Sequence, residues 1–504
     1  MAEEKKSDDK KENLNYKGNT TAQQIAFSRN TRLSYTAIAD WVTLSKREKP
    51  IARMFHVAYL AKGRGASSRP VTFVFNGGPG AASAYLHMGA LGPRRATFEK
   101  DGALSPPPAK ILPNSESWLR FTDLVFVDPI GTGFSRVIEE EKPKEGDAKG
   151  GGAEGKKEAD RTEFFEVTRD LESLGEFIQK FLSKHHRWTS PIFIAGESYG
   201  GFRVAKLARM LQEKYGVGLN GAVLISPAIE FDSLIGSDYN FTHWLELIPS
   251  MAAAAWIHGS GARRKPRADL EALLAKTEAF AQSDFLALLG QGKGMAASRR
   301  TRILNAVARV IGVSSDVLDR CGGRLDHYVF ARELLHDQQK VCGLYDASLT
   351  AIDPFPDRVF YEGPDPTLSS IDRVFQAAIN SHLRETLGVE TDLDYQLLSY
   401  EVNSEWTEKD SKRIFRQQVG AMDDLRYGMS LNPHMQVRIS HGYFDLVTPY
   451  FSSNRLIEHM KLDDSLRGNL TTEHYLGGHM FYTWELSRKA FSKSMEQFYK
   501  NAIP

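Results

Sequence analysis

Six short runs, each closed by a loop rich in glycine, proline or aspartate, constrain this chain more than any other feature. They are VTFVF before NGGPG, DLVFV before DPIGTGFS, PIFIA before GESYGG, GAVLI before SPA, MQVRIS before HGYFD, and TTEHYL before GGHM. Runs of this length, rich in apolar and β-branched residues, read as buried strands, and helical patterns separate several of them. Strands alternating with helices predict an α/β fold with a mostly parallel central sheet flanked by helices. Its working loops should gather at the carboxyl ends of the strands. Upstream, LSYTAIADWVTL and ARMFHVAYLAKG alternate apolar with polar residues and predict an antiparallel hairpin.

At 504 residues the chain exceeds one small core, so one large domain with an insertion, or two domains, is expected. The strand rhythm stops between residues 231 and 410, where DLEALLAKTEAFAQSDFLALL and TRILNAVARVIG carry helical spacing. This stretch reads as a helical cap inserted between two parts of the core, 14–230 and 411–504. Residues 1–13 are charged and read as a disordered tail. The charged, glycine-rich stretch at about 137–160 reads as a mobile surface loop. The basic clusters ARRKPR and SRRTR read as solvated helix ends.

Lys plus Arg number 64 against 63 Asp plus Glu, so no global field draws in nucleic acid or an acidic membrane. No run is long and apolar enough to span a bilayer, and IPSMAAAAWIHG reads as a helix. The charged N-terminus lacks an apolar core segment, so no signal peptide is expected. The chain is then cytoplasmic as given, or an exported form whose signal has been removed. Two cysteines, Cys321 and Cys342, argue against a disulfide framework; they either pair in an oxidising compartment or stay as buried thiols.

GESYGG sets Ser198 between Gly196 and Gly200, with an apolar run before it and Val204, Leu207, Ala208 and Leu211 at helical spacing after it. Strand, tight turn and helix form the setting of a nucleophile elbow, in which the glycines let the chain bend sharply and point the serine outward. The same pattern also serves as an ordinary strand-to-helix turn in which the serine caps the helix. A nucleophilic serine needs a base, and the base needs a carboxylate; in hydrolases they follow the serine in the order acid, then histidine. Asp445 stands just after one run, and His479 follows another run and two glycines. His474 falls inside a predicted strand, His441 precedes the acid, and Asp463 and Asp464 lie in a polar stretch, so these rank below. An oxyanion hole needs backbone N–H groups, which Tyr199 and the NGGPG loop at 76–80 are placed to supply.

FNGGPGAAS, VDPIGTGFS, GESYGG, GYFDLVTP and GGHM, in this order, resemble the successive motifs of the serine carboxypeptidases. The resemblance covers roughly 30–230 and 411–504, and the predicted cap shows no such match. It implies an α/β-hydrolase fold and the release of C-terminal residues from peptides with a free C-terminus. It implies Ser198, Asp445 and His479 as the triad, and the N–H groups of Gly78 and Tyr199 as the oxyanion hole. It implies Asn76, Gly77 and Glu197 as the group that binds the substrate's terminal carboxylate, and Trp118 in NSESW as wall packing near the site. The chain also departs from the family. Ala81-Ala82-Ser83 stands where relatives have Cys-Ser-Ser, and Tyr443 where they have an aspartate. Ala90 in GALGP stands where they carry the glutamate that partners the carboxyl equivalent to Glu197.

The chemistry calls for no metal and no organic cofactor. Two further readings use the same residues. One is an esterase or acyltransferase on the same triad. The other is a non-enzymatic scaffold of this fold, against which an intact Ser-Asp-His set argues. The residues leave open whether the chain works as a monomer or a homodimer.

Overall fold

Three long antiparallel strands lead into six parallel ones, and all lie in one sheet. β1 (Asn19–Ala26), β2 (Arg32–Lys46) and β3 (Lys49–Ala61) form a meander. After them come β4 (Val71–Phe75), β5 (Asp123–Val127), β6 (Ile192–Glu197), β7 (Gly221–Ile225), β8 (Gln436–Gly442) and β9 (Leu470–Tyr475). Their order across the sheet is β1-β2-β3-β5-β4-β6-β7-β8-β9, with the two-residue strand Arg136–Val137 pairing with β3 off this path. β3 meets β5 antiparallel, and every later neighbour pair is parallel. All six runs and the hairpin read from the sequence are strands of this sheet. The arrangement, in a computed structural model, is that of an α/β-hydrolase. It describes residues 16–63, 68–138, 161–259, 266–359, 361–408 and 419–503. The expected tail, nearly all of the expected 137–160 loop and most of the ARRKPR cluster lie outside the described residues.

The central strands are apolar on both sides because both sides are covered. Phe73, Phe75, Ile194 and Leu224 pack on one face, and Val74, Phe193, Ala195 and Val223 on the other. The first face is closed by α1 (Val167–Lys184), α2 (Tyr199–Tyr215) and the helix Met422–Leu431. The second is closed by the C-terminal helix Glu485–Ala502, through Phe491, Met495, Phe498 and Tyr499. Each large apolar side chain buried this way contributes about 1.5–3 kcal/mol relative to exposure.

The described residues of 231–410 divide among three cores, with Val402 and Trp406 joining the first face of the sheet. Helices α3 (Thr242–His258), α4 (Arg267–Phe280) and α5 (Ala297–Ile311) enclose Met251, Leu274, Phe285 and Leu304. That cluster also takes in Tyr443, Phe444, Tyr450 and Phe451, which follow β8. The later segment is different: Ile371, Phe375 and Ile379 of α6 (Leu368–Ser381), with Leu397, pack directly onto the second face of the sheet. Within the helical stretch, Lys340–Cys342 and Thr350–Ile352 pair as a small antiparallel hairpin. Strands of three residues are too short to show a period of two in the sequence. Cys321 and Cys342 are both free thiols, Cys342 buried and Cys321 partly so.

At the amino end of β5 a buried carboxylate ties several segments together. Asp123 accepts hydrogen bonds from Arg187 Nη1 (2.6 Å), Arg69 Nε (2.8 Å) and the Ala61 N–H (2.9 Å). Asp123→Ala leaves two guanidinium groups without their carboxylate in a largely buried place. Chemical denaturation should show a loss of about 3–5 kcal/mol; a loss below about 1 kcal/mol, the worth of an exposed pair, would contradict this account.

Candidate active site

β6 ends at Glu197 and α2 begins at Tyr199, which leaves Ser198 alone in the turn at φ 60° and ψ −125°. A non-glycine residue held there stores on the order of 1–3 kcal/mol of strain. The surroundings impose it: the Ser198 N–H donates to Ile225 O (3.0 Å), and the Ser198 carbonyl accepts from Gly201 (2.8 Å) and Ala228 (3.1 Å). Its side chain makes no capping hydrogen bond to α2, so it is not there as a helix cap. The flanking glycines act differently from the expectation. Neither takes a positive φ; the serine does. A Cβ on Gly196 would stand 2.1 Å from Gly200 O, and one on Gly200 2.5 Å from Phe75 O. Backbone lies on backbone here, and only glycine leaves room.

Asp445 and His479 come from the loops after β8 and β9, which are neighbours in the sheet. His479 Nδ1 lies 2.7 Å from Asp445 Oδ2. The second carboxylate oxygen accepts the N–H groups of Val447 (2.8 Å) and Thr448 (3.0 Å), and the Thr448 hydroxyl reaches Oδ2 at 2.7 Å. With Nδ1 engaged by the carboxylate, Nε2 is the ring nitrogen left for other work. Burial disfavours the imidazolium, but the charge and hydrogen bond of Asp445, with the charge of Glu197, outweigh it and raise the His479 pKa. Asp445 and His479 are buried, and His479 lines the same small cavity as Ser198, Asn76, Gly78 and Glu197.

The NGGPG loop presses against the elbow. A Cβ on Gly77 would stand 2.6 Å from Tyr199 N, so the loop that carries Gly78 runs beside the Tyr199 amide. Arg203, fully buried one turn into α2, secures this contact. It donates to Asn76 O (2.7 Å) and Gly77 O (3.4 Å), and its charge is met by Asp170 at 2.7 Å. Asn76 Oδ1 accepts the Leu86 N–H (3.0 Å), which turns the amide nitrogen toward Glu197 Oε2 at 2.5 Å. Burial pushes the Glu197 carboxyl up to about 7, against the pull of His479, Tyr482 and Asn76, with Asp445 pushing the same way as burial. Such a carboxyl keeps its proton through mildly acidic pH. Ser198 and His479 thus line one cavity, with Asp445 behind the imidazole and beside them a carboxyl able to donate a hydrogen bond, residue types able together to attack a carbonyl.

The lower-ranked residues are spent elsewhere. His441 Nε2 pairs with Ser453 Oγ at 2.8 Å, and His474 stacks on Tyr443 and meets Asn454 at 3.1 Å. Asp463 bonds Ser465, and Asp464 pairs with Arg467 on the surface. Tyr443, where relatives have an aspartate, sits under Arg267 of α4 and reaches Glu271 at 3.4 Å, joining the loop after β8 to the cap. Trp118 departs from the expectation: it does not line the cavity but packs in the core on Phe491 and Tyr499. Its neighbours do support the site loop, since Asn114 donates to Ala90 O (2.7 Å) and Ser117 to Leu91 O (2.8 Å).

Sequence reasoning missed several groups. Thr448 and Arg203 stand three and five residues from Asp445 and Ser198, close enough that local spacing held a signal. Tyr482, three residues after His479, held the same kind of signal and donates its hydroxyl to Glu197 Oε2 at 3.0 Å, whereas Tyr85, Tyr345, Leu368 and Leu398, which line the cavity, carry none.

The profile of the serine carboxypeptidase family matches residues 29–475. Serine carboxypeptidase-like 13 of Arabidopsis thaliana is 26% identical over 182 residues, 36% of this chain and 37% of that protein. Serine carboxypeptidase-like 5 of the same plant is 28% identical over 205 residues, 38% and 40% respectively. The chain thus spans less than half the length of the curated relatives it matches. The crystal structure of VinJ is similar at a TM-score of 0.37 and 13% identity, over 92% of this chain and 99% of that one, too distant to carry an argument. No helix among the described residues is long and apolar enough to cross a membrane. With the family profile spanning most of its length and the site assembled from that family's motifs, the chain belongs to the serine carboxypeptidase family.

Proposed function

We propose that this protein is a serine-type carboxypeptidase, releasing C-terminal amino acids from peptides through an acyl-enzyme on Ser198. The observation that carries this reading is the Asn76–Glu197 pair in the cavity lined by Ser198 and His479. A group suited to hold a carboxylate lies one residue from the nucleophile. Ser198 Oγ attacks the carbonyl of the last peptide bond while His479 Nε2 takes its proton, and Asp445 holds the ring and favours the imidazolium. The N–H groups of Gly78 and Tyr199 stabilise the oxyanion. His479 then protonates the departing amine, and water repeats the sequence on the acyl-enzyme. Protonated Glu197, with Asn76 and the Gly77 N–H beside it, donates to the substrate's terminal carboxylate. Two carboxyl groups that close share one proton.

The nucleophile is tested with a fluorophosphonate probe. Ser198 should be the residue labelled, and Ser198→Ala should abolish labelling and turnover while the protein stays folded. Loss of a triad member lowers the rate on the order of 10⁴ to 10⁶-fold, and His479→Ala and Asp445→Asn should both be severe. Labelling at another serine would sink the mechanism.

The exopeptidase character is tested by amidating a blocked dipeptide. Removing the terminal charge should lower kcat/KM by about 2 kcal/mol or more, the scale of a charge-assisted hydrogen bond in a buried site. Mass analysis of the products reads out the released amino acid. Equal cleavage of acid and amide would instead favour the esterase reading, for which the terminal carboxylate is irrelevant.

The pH dependence follows from Glu197, whose raised carboxyl is protonated below about 7 and ionised above it. The donor is therefore present in acid and lost as pH rises through that value. KM for free-acid peptides should climb there. Ester substrates lack the carboxylate and need only neutral His479, so their hydrolysis should persist above neutrality. Glu197→Gln keeps a donor at every pH, since Asn76 and Tyr482 would hold its carbonyl oxygen and turn its NH₂ toward the substrate. Its peptide profile should lose the upper limb; an unchanged profile would remove Glu197 from this role.

A further inference from the structure

The two oxygens of Glu197 are treated unequally. Oε2 receives two donors, Asn76 Nδ2 at 2.5 Å and the Tyr482 hydroxyl at 3.0 Å. Oε1 is buried and has no hydrogen-bond partner among the described residues. An oxygen that already accepts two hydrogen bonds is a poor place for the carboxyl proton, so the proton of the neutral form belongs on Oε1. An unsatisfied buried polar atom costs free energy until a partner arrives. Oε1 is therefore the atom that awaits the terminal carboxylate.

Tyr482 reaches Glu197 because of a gap in the neighbouring segment. It lies in the short 3₁₀ helix Phe481–Thr483, three residues after His479, and is fully buried. A Cβ on Gly89 would stand 2.5 Å from Tyr482 Cε2, so the ring occupies space that only glycine leaves open. The next residue is Ala90, where the family resemblance calls for a second carboxyl. The chain lacks that carboxyl and brings a phenol to Glu197 instead.

We propose that Tyr482 is a positioning residue for the substrate carboxylate: its hydroxyl, with Asn76, keeps Glu197 Oε1 facing the substrate and sets the pH above which the terminal carboxylate is no longer held. The proposal rests on the carboxypeptidase reading. The groups that face Glu197 are Asn76 from the loop after β4, Tyr85 from the helical turn Ala84–Leu86, Asp445 and His479 from the loops after β8 and β9, and Tyr482. Tyr482 itself remains a donor throughout, because burial and then the Glu197 charge raise its pKa well above the usual value. A hydroxyl donating to a carboxylate stabilises the ionised form. It therefore pulls the Glu197 titration down and limits how far into neutral pH peptides are bound. A second carboxyl at position 90 would push it the other way.

The test is Tyr482→Phe, which removes one oxygen, assayed as KM against pH for a free-acid blocked dipeptide. The upper midpoint should move up by about one pH unit, the worth of one hydrogen bond to a charged group. The midpoint for an ester substrate should not follow it. A trifluorotyrosine placed at 482 has nearly the same shape and a stronger hydroxyl donor, and should move the peptide midpoint down; it covers the case in which the phenylalanine variant fails to fold. In the Glu197→Gln background there is no titration left, so adding Tyr482→Phe should create no pH-dependent change. An unmoved midpoint in both Tyr482 variants, or a shift shared by peptide and ester, overturns the proposal while leaving the carboxypeptidase reading intact. Equal wild-type cleavage of free-acid and amidated peptides overturns both.

Discussion

The close crossing of backbone segments at the carboxyl ends of β4 and β6 is the constraint on which the rest of the site depends. These strands are hydrogen-bonded neighbours, so the loops that leave them must share one space. They do so at separations no side chain tolerates, with Gly77 and Gly200 at the contacts and Gly196 packed on Gly200 inside the elbow itself. The result puts Asn76 against Glu197 and the NGGPG loop beside Tyr199. It also turns Ser198 into a conformation that nothing local favours. Arg203 and Asp170 close the arrangement from the helix side, so its geometry is held by a buried ion pair as well as by sterics.

Glu197 and His479 act on one another across a small cavity, so neither titrates alone. The Glu197 charge favours the imidazolium, and an imidazolium favours the ionised Glu197. A proton on Glu197 removes one of the charges that raise the His479 pKa. The protonated Glu197 that the proposed function requires is thus also the state in which the imidazole more readily stays neutral. Low dielectric makes both effects larger than they would be in water.

Much of the fold was legible because parallel strands covered on both faces must be apolar throughout, and each ends where the chain turns toward its helix. That physics made the runs of β4 to β8 visible; β9, expected as buried, is instead an edge strand with only Tyr475 buried, and it was marked out by the glycine loop after it. The small hairpin at Lys340–Cys342 and Thr350–Ile352 was not legible, since three residues show no period. Nor was the division of residues 231–410 among separate cores, because apolar helix faces read alike whichever surface they meet. The family resemblance implies a place near the site for Trp118, which belongs to the core beside the C-terminal helix. The elbow glycines were assigned flexibility, whereas they serve close approach.

By itself, the sequence determined the sheet, the order of Ser198, Asp445 and His479 along it, and the loop that meets the elbow, because each is written in local pattern or in chain order. Only the tertiary structure decided which oxygen of Glu197 lacks a partner among the described residues, which histidine nitrogen is engaged, and that Tyr482 fills the space beside Gly89. These depend on contacts between residues far apart in the chain, such as Glu197 and Tyr482, and no local pattern encodes a distance across a folded core. The alanine at position 90 could be read in one dimension; the phenol that donates to Glu197 could be found only in three.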